Sequence, residues 1–182
     1  MDDEEFIPVA PKLVEYDPQW VQQYAAEAES IKHVLAGVNH VVQHIGSTAV
    51  PGLPAKPVID IMVGVPDYSR IDGIRAELET IHYVADPHAE RDEPSRKVFR
   101  KGSTDMTQPR SHHLHLTIIG GDYWRRILTF RDQLRRDPQA AARYAEVKCR
   151  MLTECRGDSR AYTAGKHDVV KEIERTAGID VP

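Results

Sequence analysis

The sequence predicts an α+β fold: a mixed sheet of the α/β type, followed by an all-helical end. Three observations carry this. Short apolar runs with strand spacing recur between residues 38 and 119. Helical periodicities alternate with them in that stretch. After Gly120-Gly121 only helical spacing remains. The expected organisation is one domain over residues 1–182, with a mixed core at 14–120 and a helical part at 121–178 packed against it.

Residues 1–13 read as an irregular lead-in with Pro8 and Pro11. Asp17-Pro18 reads as an N-cap followed by proline at the first helical position. Trp20, Tyr24, Ala28, Ile31 and Leu35 then recur at helical spacing, so a helix is predicted over 18–36, stopped by Gly37. Val38 to Ile45 is strand-like. Val58 to Val65 is a stronger strand, apolar on both faces apart from Asp60, as in a sheet interior. Ile71, Ile74, Leu78 and Ile81 mark a helix, and Tyr83 to Ala85 a short strand. A polar loop at 86–95, a strand from Lys97 to Lys101, a loop from Gly102 to Ser111 and a strand from His112 to Ile119 complete the mixed half. Three helices are expected after it. The first carries Trp124, Ile127, Leu128, Arg131 and Leu134. The second, capped by Asp137-Pro138, carries Tyr144, Val147, Met151 and Leu152 on its apolar face. The third follows Asp158-Ser159, with Tyr162, Val169, Val170 and Ile173 inward.

Composition narrows the partners. The chain has 182 residues and a formal net charge of −4, which argues against a broad nucleic-acid or anionic-membrane surface. No apolar run approaches the ~18 residues needed to span a bilayer. The acidic start Met1-Asp2-Asp3-Glu4-Glu5 lacks the basic and apolar parts of a signal peptide, so a cytoplasmic location is expected. Cys149 and Cys155 are six apart, which does not place them on one helix face; they read as plain thiols.

The chemistry concentrates in the run from His44 to Val63. An apolar strand ends in Gly46-Ser47, and a second strand carries Asp60 thirteen residues after Ser47. Glycine lets a backbone approach a ligand closely, and Ser47 offers a hydroxyl and an N–H to a phosphate oxygen. No local motif marks Ser47 as a nucleophile. Asp60 shares its strand face with Val58 and Met62. Metal-dependent phosphoryl transfer commonly uses Asp-x-Asp, and Met62, a poor ligand for Mg²⁺, occupies the second position. A carboxylate among so many apolar neighbours needs a partner: a bound ion, backbone N–H groups, or Lys56.

Further along, Arg110-Ser111-His112-His113-Leu114-His115 places His113 and His115 on one side of a strand and His112 on the other. Two imidazoles so spaced can grip Zn²⁺ or Mn²⁺, bind phosphate as cations, or act as acid and base. Alternatively, one is a satisfied core residue and the other is solvated. If this strand neighbours the Asp60 strand, then Asp60, His113 and His115 form the candidate set for a divalent metal (Mg²⁺, Mn²⁺ or Zn²⁺). Arg100 and Arg110 suit bidentate phosphate recognition, whereas Arg96 and Lys97 read as solvated surface. Tyr162 and Lys166 share a helix face and on spacing alone are rim residues.

Taken together these motifs resemble the GrpB-like family of the nucleotidyltransferase superfamily. The resemblance runs over about residues 12–176. It rests on the His44–Val63 run, on Val14-Glu15-Tyr16-Asp17-Pro18-Gln19-Trp20 and on Phe99-Arg100-Lys101-Gly102. It rests also on the histidine strand, on Phe130-Arg131-Asp132-Gln133-Leu134-Arg135 and on Tyr162-Thr163-Ala164-Gly165-Lys166. It implies a nucleotidyltransferase-like core with flanking helices and a C-terminal helical part. Gly46-Ser47 would correspond to the superfamily's phosphate-contacting Gly-Ser, and Asp60 to the first aspartate of its metal pair. Met62 stands where the second would be, and histidines stand on the strand that bears a third acid. The resemblance thus implies Asp60 and Ser47 as catalytic candidates, with Gly46, Ser47, Lys56, Arg100, Arg110, Tyr162 and Lys166 around a nucleotide or phosphorylated small molecule. Similar domains occur fused to dephospho-coenzyme A kinase. Two functions are expected to compete: a transferase acting on a nucleotide or phosphate ester, and a binding module without turnover, serving regulation or assembly, with a link to coenzyme A metabolism.

Overall fold

Strand and helix alternate as expected. The computed structural model describes residues 12–90, 93–102, 110–155 and 158–179. The first helix, α1 (Gln19–Val34), is followed by strand β1 (Val41–Ile45), a 3₁₀ turn (Ser47–Ala49) and strand β2 (Ile59–Val65). Helix α2 (Ile71–Thr80), strand β3 (Tyr83–Ala85), a short helix α3 (Pro87–Glu90), and strands β4 (Arg96–Gly102) and β5 (Arg110–Ile118) come next. The helical part is α4 (Asp122–Arg136), α5 (Pro138–Glu154), α6 (Ser159–Ala164) and α7 (His167–Thr176). The five strands form one sheet in the order β1-β2-β5-β4-β3. Only the β2–β5 pair is parallel; the others are antiparallel, so the sheet is mixed.

Alternation along the central strands separates two faces. Ile59, Ile61, Val63 and Val65 of β2, with Leu114 and Leu116 of β5, pack under Trp20, Ile31 and Leu35 and under Ile74 and Leu78 of α2. This is the main core, and truncating one of its fully buried leucines or isoleucines to alanine costs roughly 2–5 kcal/mol. The opposite face takes α4: Ile45, Met62 and Tyr123 are buried there with Trp124, Ile127 and Leu128 against them. Gly64 makes this approach feasible, since a Cβ at that position would lie 2.4 Å from Trp124 Cζ3. A third cluster joins Val50 and Leu53, just past the 3₁₀ turn, to Leu134, Tyr144, Val169 and Ile173 of the helical part. The helices are therefore packed onto the segment that carries the Gly-Ser pair.

Several boundaries differ from expectation. β1 begins at Val41, not Val38, because Val38 N–H still bonds the Leu35 carbonyl as α1 unwinds. The expected loop at 86–95 contains α3, started by Asp86, whose carboxylate accepts the Ala89 N–H at 3.2 Å. The expected third C-terminal helix is two helices broken at Gly165-Lys166. A Cβ on Gly165 would lie 2.0 Å from Met151 Sδ, so glycine permits α6 to meet α5 there. The expected lead-in at 1–11 and the loop residues 103–109 lie outside the described residues. Among the described residues no helix is long and apolar enough to cross a membrane.

Candidate functional site

The Gly-Ser turn is where the two halves meet. Ile45, the last residue of β1, pairs with Asp60 across the ladder, so the chain turns directly over that carboxylate. Gly46 has φ +70°, and a Cβ there would lie 2.3 Å from Asp60 Oδ2. Both the dihedral and the space demand glycine. The turn is then clamped from α4. Arg131 Nη1 donates to the His44 carbonyl at 2.9 Å, and Arg135 Nε donates to the Ala49 carbonyl at 2.8 Å. His44 bonds Thr48 Oγ1 through Nε2 at 3.0 Å, and its ring stacks on Tyr24 at 4.5 Å. Burial, reinforced by Arg135, pushes the His44 imidazole down to about 4, so it is a neutral structural residue near pH 7.

Beyond the turn opens a cleft of about 270 Å³. Gly46, Ser47, Asp60 and His113 line the sheet side; Tyr144 and Lys148 of α5, with Tyr162 and Lys166 at the α6–α7 break, line the helical side; Lys56 and Phe130 also reach it. Lys148 is 2% exposed. Its Nζ donates to the Pro54 carbonyl and lies 3.0 Å from Ser47 Oγ. Burial, then the charge of Lys166, pushes the Lys148 amine down to about 7. Lys166 is pushed down to about 8 by burial and by Lys56. Lys56 is also lowered by burial, with Asp60 opposing. The ammonium groups of Lys56 and Lys166 lie 4.6 and 4.2 Å from the centre of the Tyr162 ring. Among the described residues no carboxylate pairs with any of the three lysines at ion-pair distance. Asp60, facing them, is engaged by His113, whose Nδ1 is 3.3 Å from its Oδ1. Burial would raise the Asp60 carboxyl, but the hydrogen bond and charge of His113, then His115 and His44, hold it below its ordinary value.

The cleft thus gathers Gly46, Ser47, Lys56, Asp60, His113, Tyr162 and Lys166 from the expected set. It does not gather the rest. His115 shares a strand face with His113, but its Nδ1 is taken by Arg96 Nη1 at 2.5 Å and Tyr123 OH at 2.6 Å. Burial and the Arg96 charge push it down to about 3. Arg96, expected as surface, is therefore an inward-reaching donor. Met62 is fully buried beneath Tyr123. Arg100 forms an ion pair with Asp86. Arg110 lies at the start of β5 opposite Gly102 and does not line the cleft. His112 points to the other sheet face, 4.0 Å from Glu27, as alternation requires.

These positions do not fit the expected metal centre. Asp60 and His113 are one carboxylate and one imidazole already paired to each other, and the next rung on that face offers a thioether and an imidazole held by an arginine. Among the described residues no three His, Cys, Asp or Glu side chains converge as an ion-holding group.

The site also uses residues that sequence reasoning passed over. Lys148 and Tyr144 sit four apart on the buried face of α5, with Met151 three further on. A lysine in phase with an apolar stripe was the available signal. Arg131 fell on the stripe of the first C-terminal helix, whereas Arg135 carried no signal beyond belonging to a family motif.

Comparison with known proteins places the fold. The pattern of the GrpB protein family matches residues 10–176. The chain belongs to the GrpB family. A UPF0157 protein of Pseudomonas aeruginosa is 40% identical over 158 residues, covering 86% of this chain and 63% of that relative. The chain therefore spans less than two thirds of that relative's length. The crystal structure of the conserved protein GrpB from Enterococcus faecalis superposes with a TM-score of 0.78 at 35% identity, covering 91% of this chain and 96% of the other. A dephospho-CoA kinase of Mycolicibacterium paratuberculosis is 29% identical over 185 residues, covering 91% of this chain and 46% of the kinase. The mixed sheet with its helical end is thus the GrpB fold.

Proposed function

We propose that this GrpB protein binds the phosphate groups of a nucleotide or phosphorylated metabolite in the cleft beside Ser47. One observation carries the reading: three lysines line the cleft that the Gly-Ser turn borders, and among the described residues its lining holds one carboxylate, which is engaged by His113. Clustered, desolvated ammonium groups repel one another, and an anion of several charges relieves that repulsion. Ser47 and the lysines supply charge-assisted hydrogen bonds to phosphate oxygens. Asp60 orients His113 and supports Gly46, a role that needs no bound ion. The dephospho-CoA kinase relative favours a diphosphate-bearing ligand of the coenzyme A type in a regulatory or assembly role. Transfer of the bound group is the second reading, favoured by the contact between Ser47 and Lys148.

The test is calorimetric titration with inorganic pyrophosphate, ATP and dephospho-coenzyme A. Only the ammonium forms attract an anion, so affinity is expected to fall as pH rises through about 7 to 8, with proton uptake on binding in that window. Lys166→Met is expected to weaken pyrophosphate about tenfold or more, the worth of one charged hydrogen bond. Absence of heat or thermal stabilisation with all three ligands at pH 6.5 sinks the reading.

A further inference from the structure

The cleft contains one contact that anion binding alone does not use. Lys148 Nζ lies 3.0 Å from Ser47 Oγ, and Tyr144 lines the same cleft. A lysine meant only to attract phosphate serves better with its ammonium turned to open cleft. Here the amine is almost wholly enclosed, tied to the Pro54 carbonyl and the serine hydroxyl. The positive φ of Gly46 sets Ser47 at the cleft wall, facing the space that Lys56 and Lys166 border.

We infer that Ser47 is a nucleophile and Lys148 its general base, acting on the phosphorus of a phosphoanhydride or phosphate ester held by Lys56 and Lys166. Desolvated lysines activate hydroxyl nucleophiles in this way, because an enclosed amine without a counter-ion readily gives up its proton. The lowered basicity of Lys148 agrees with the arrangement. In the first step the Oγ–H proton moves to the neutral Lys148 amine as Oγ bonds to phosphorus. The bond from phosphorus to the bridging oxygen breaks, and the departing group, a phosphate from an anhydride or an alkoxide from an ester, keeps that electron pair. In the second step water attacks phosphorus and gives one of its protons to the departed group, the Oγ–P bond breaks with its electron pair staying on Oγ, and Lys148 returns its proton to Oγ. One water is consumed per bond cleaved, with no oxidant or reductant. The inference rests on the anion-binding reading, since Lys56 and Lys166 hold the substrate.

The experiment is labelling of the full chain with a fluorophosphonate, quantified peptide by peptide. Exposed Ser69 serves as the internal standard. Ser47 is expected to label about a hundredfold faster than Ser69, the usual worth of a positioned base. Its rate is expected to rise with pH and level off above about 7. Lys148→Arg, which keeps a cation but has no accessible neutral form, is expected to abolish the excess labelling. Labelling of Ser47 no faster than Ser69, a rate flat across that pH range, or undiminished labelling in the arginine variant overturns the inference. If Lys148→Arg does not fold, the wild-type rate ratio and pH profile still decide. Pyrophosphate titration of the same samples separates the two failures. Binding without labelling removes only the nucleophile, whereas loss of both removes the anion cradle.

Discussion

Asp60 with His113, and Met62 with His115, occupy alternate rungs of the same strand pair, with Ile61 and Leu114 between them, and point to the same face of the sheet. Their fates differ completely. The first rung opens on a cleft bordered by lysines. The second is roofed by α4, whose Tyr123 seals Met62 and shares the His115 ring nitrogen with Arg96. Strand alternation decides which face a side chain takes. The helix laid across that face decides whether the side chain meets solvent, ligand or core.

The contrast can be broken most severely at Met62. Met62→Asp would restore the Asp-x-Asp spacing, but it places a carboxylate in a fully buried apolar position. A loss of roughly 3–5 kcal/mol in urea unfolding is expected, with no recovery on adding Mg²⁺. Mg²⁺-dependent rescue would mean that the second rung also opens to the cleft. A smaller effect tests the buried imidazole. The folded-state value for His115, about 3, lies below the ordinary 6.5. The unfolded chain therefore takes up a proton that the folded chain refuses. Stability from this residue is complete above about 6.5 and drains away as pH falls toward 3, amounting to about 1–2 kcal/mol by pH 5. His115→Gln is expected to flatten the acid limb of a urea-midpoint profile by that amount relative to wild type. An unchanged limb would place a protonated imidazole on the second rung. The smallest effect belongs to Arg100. Its register partner is His113, yet its guanidinium is committed to Asp86. Arg100→Met is expected to change pyrophosphate affinity less than about twofold and stability by less than about 1 kcal/mol.

Much of the fold was legible in the sequence because it depends on local pattern. The near-continuous apolar run of residues 58–65 and the helical stripe from Trp20 to Leu35 each announce an element regardless of their neighbours. The sheet half of the cleft was legible for the same reason: Gly46, Ser47 and Asp60 fall within one twenty-residue run. His113 joined them through the parallel pairing of β2 with β5, which the sequence left open. His115 misled because period-two spacing reports direction but not cover. Lys148 was passed over because a lone lysine within a helix ordinarily reads as solvated even when it falls in phase with an apolar stripe, and its target, Ser47, lies 101 positions earlier. The split at Gly165 depends on contact with Met151 of another helix, which no periodicity records.

The Ser47 turn owns few of its own supports. Its carbonyl anchors are Arg131 and Arg135, and its hydroxyl partner is Lys148, all from the far end of the polypeptide. The mouth of the pocket is therefore complete only when those distant helices are docked. A slight tilt of either helix is transmitted as leverage to the turn, so occupancy of the pocket and seating of those helices report on each other.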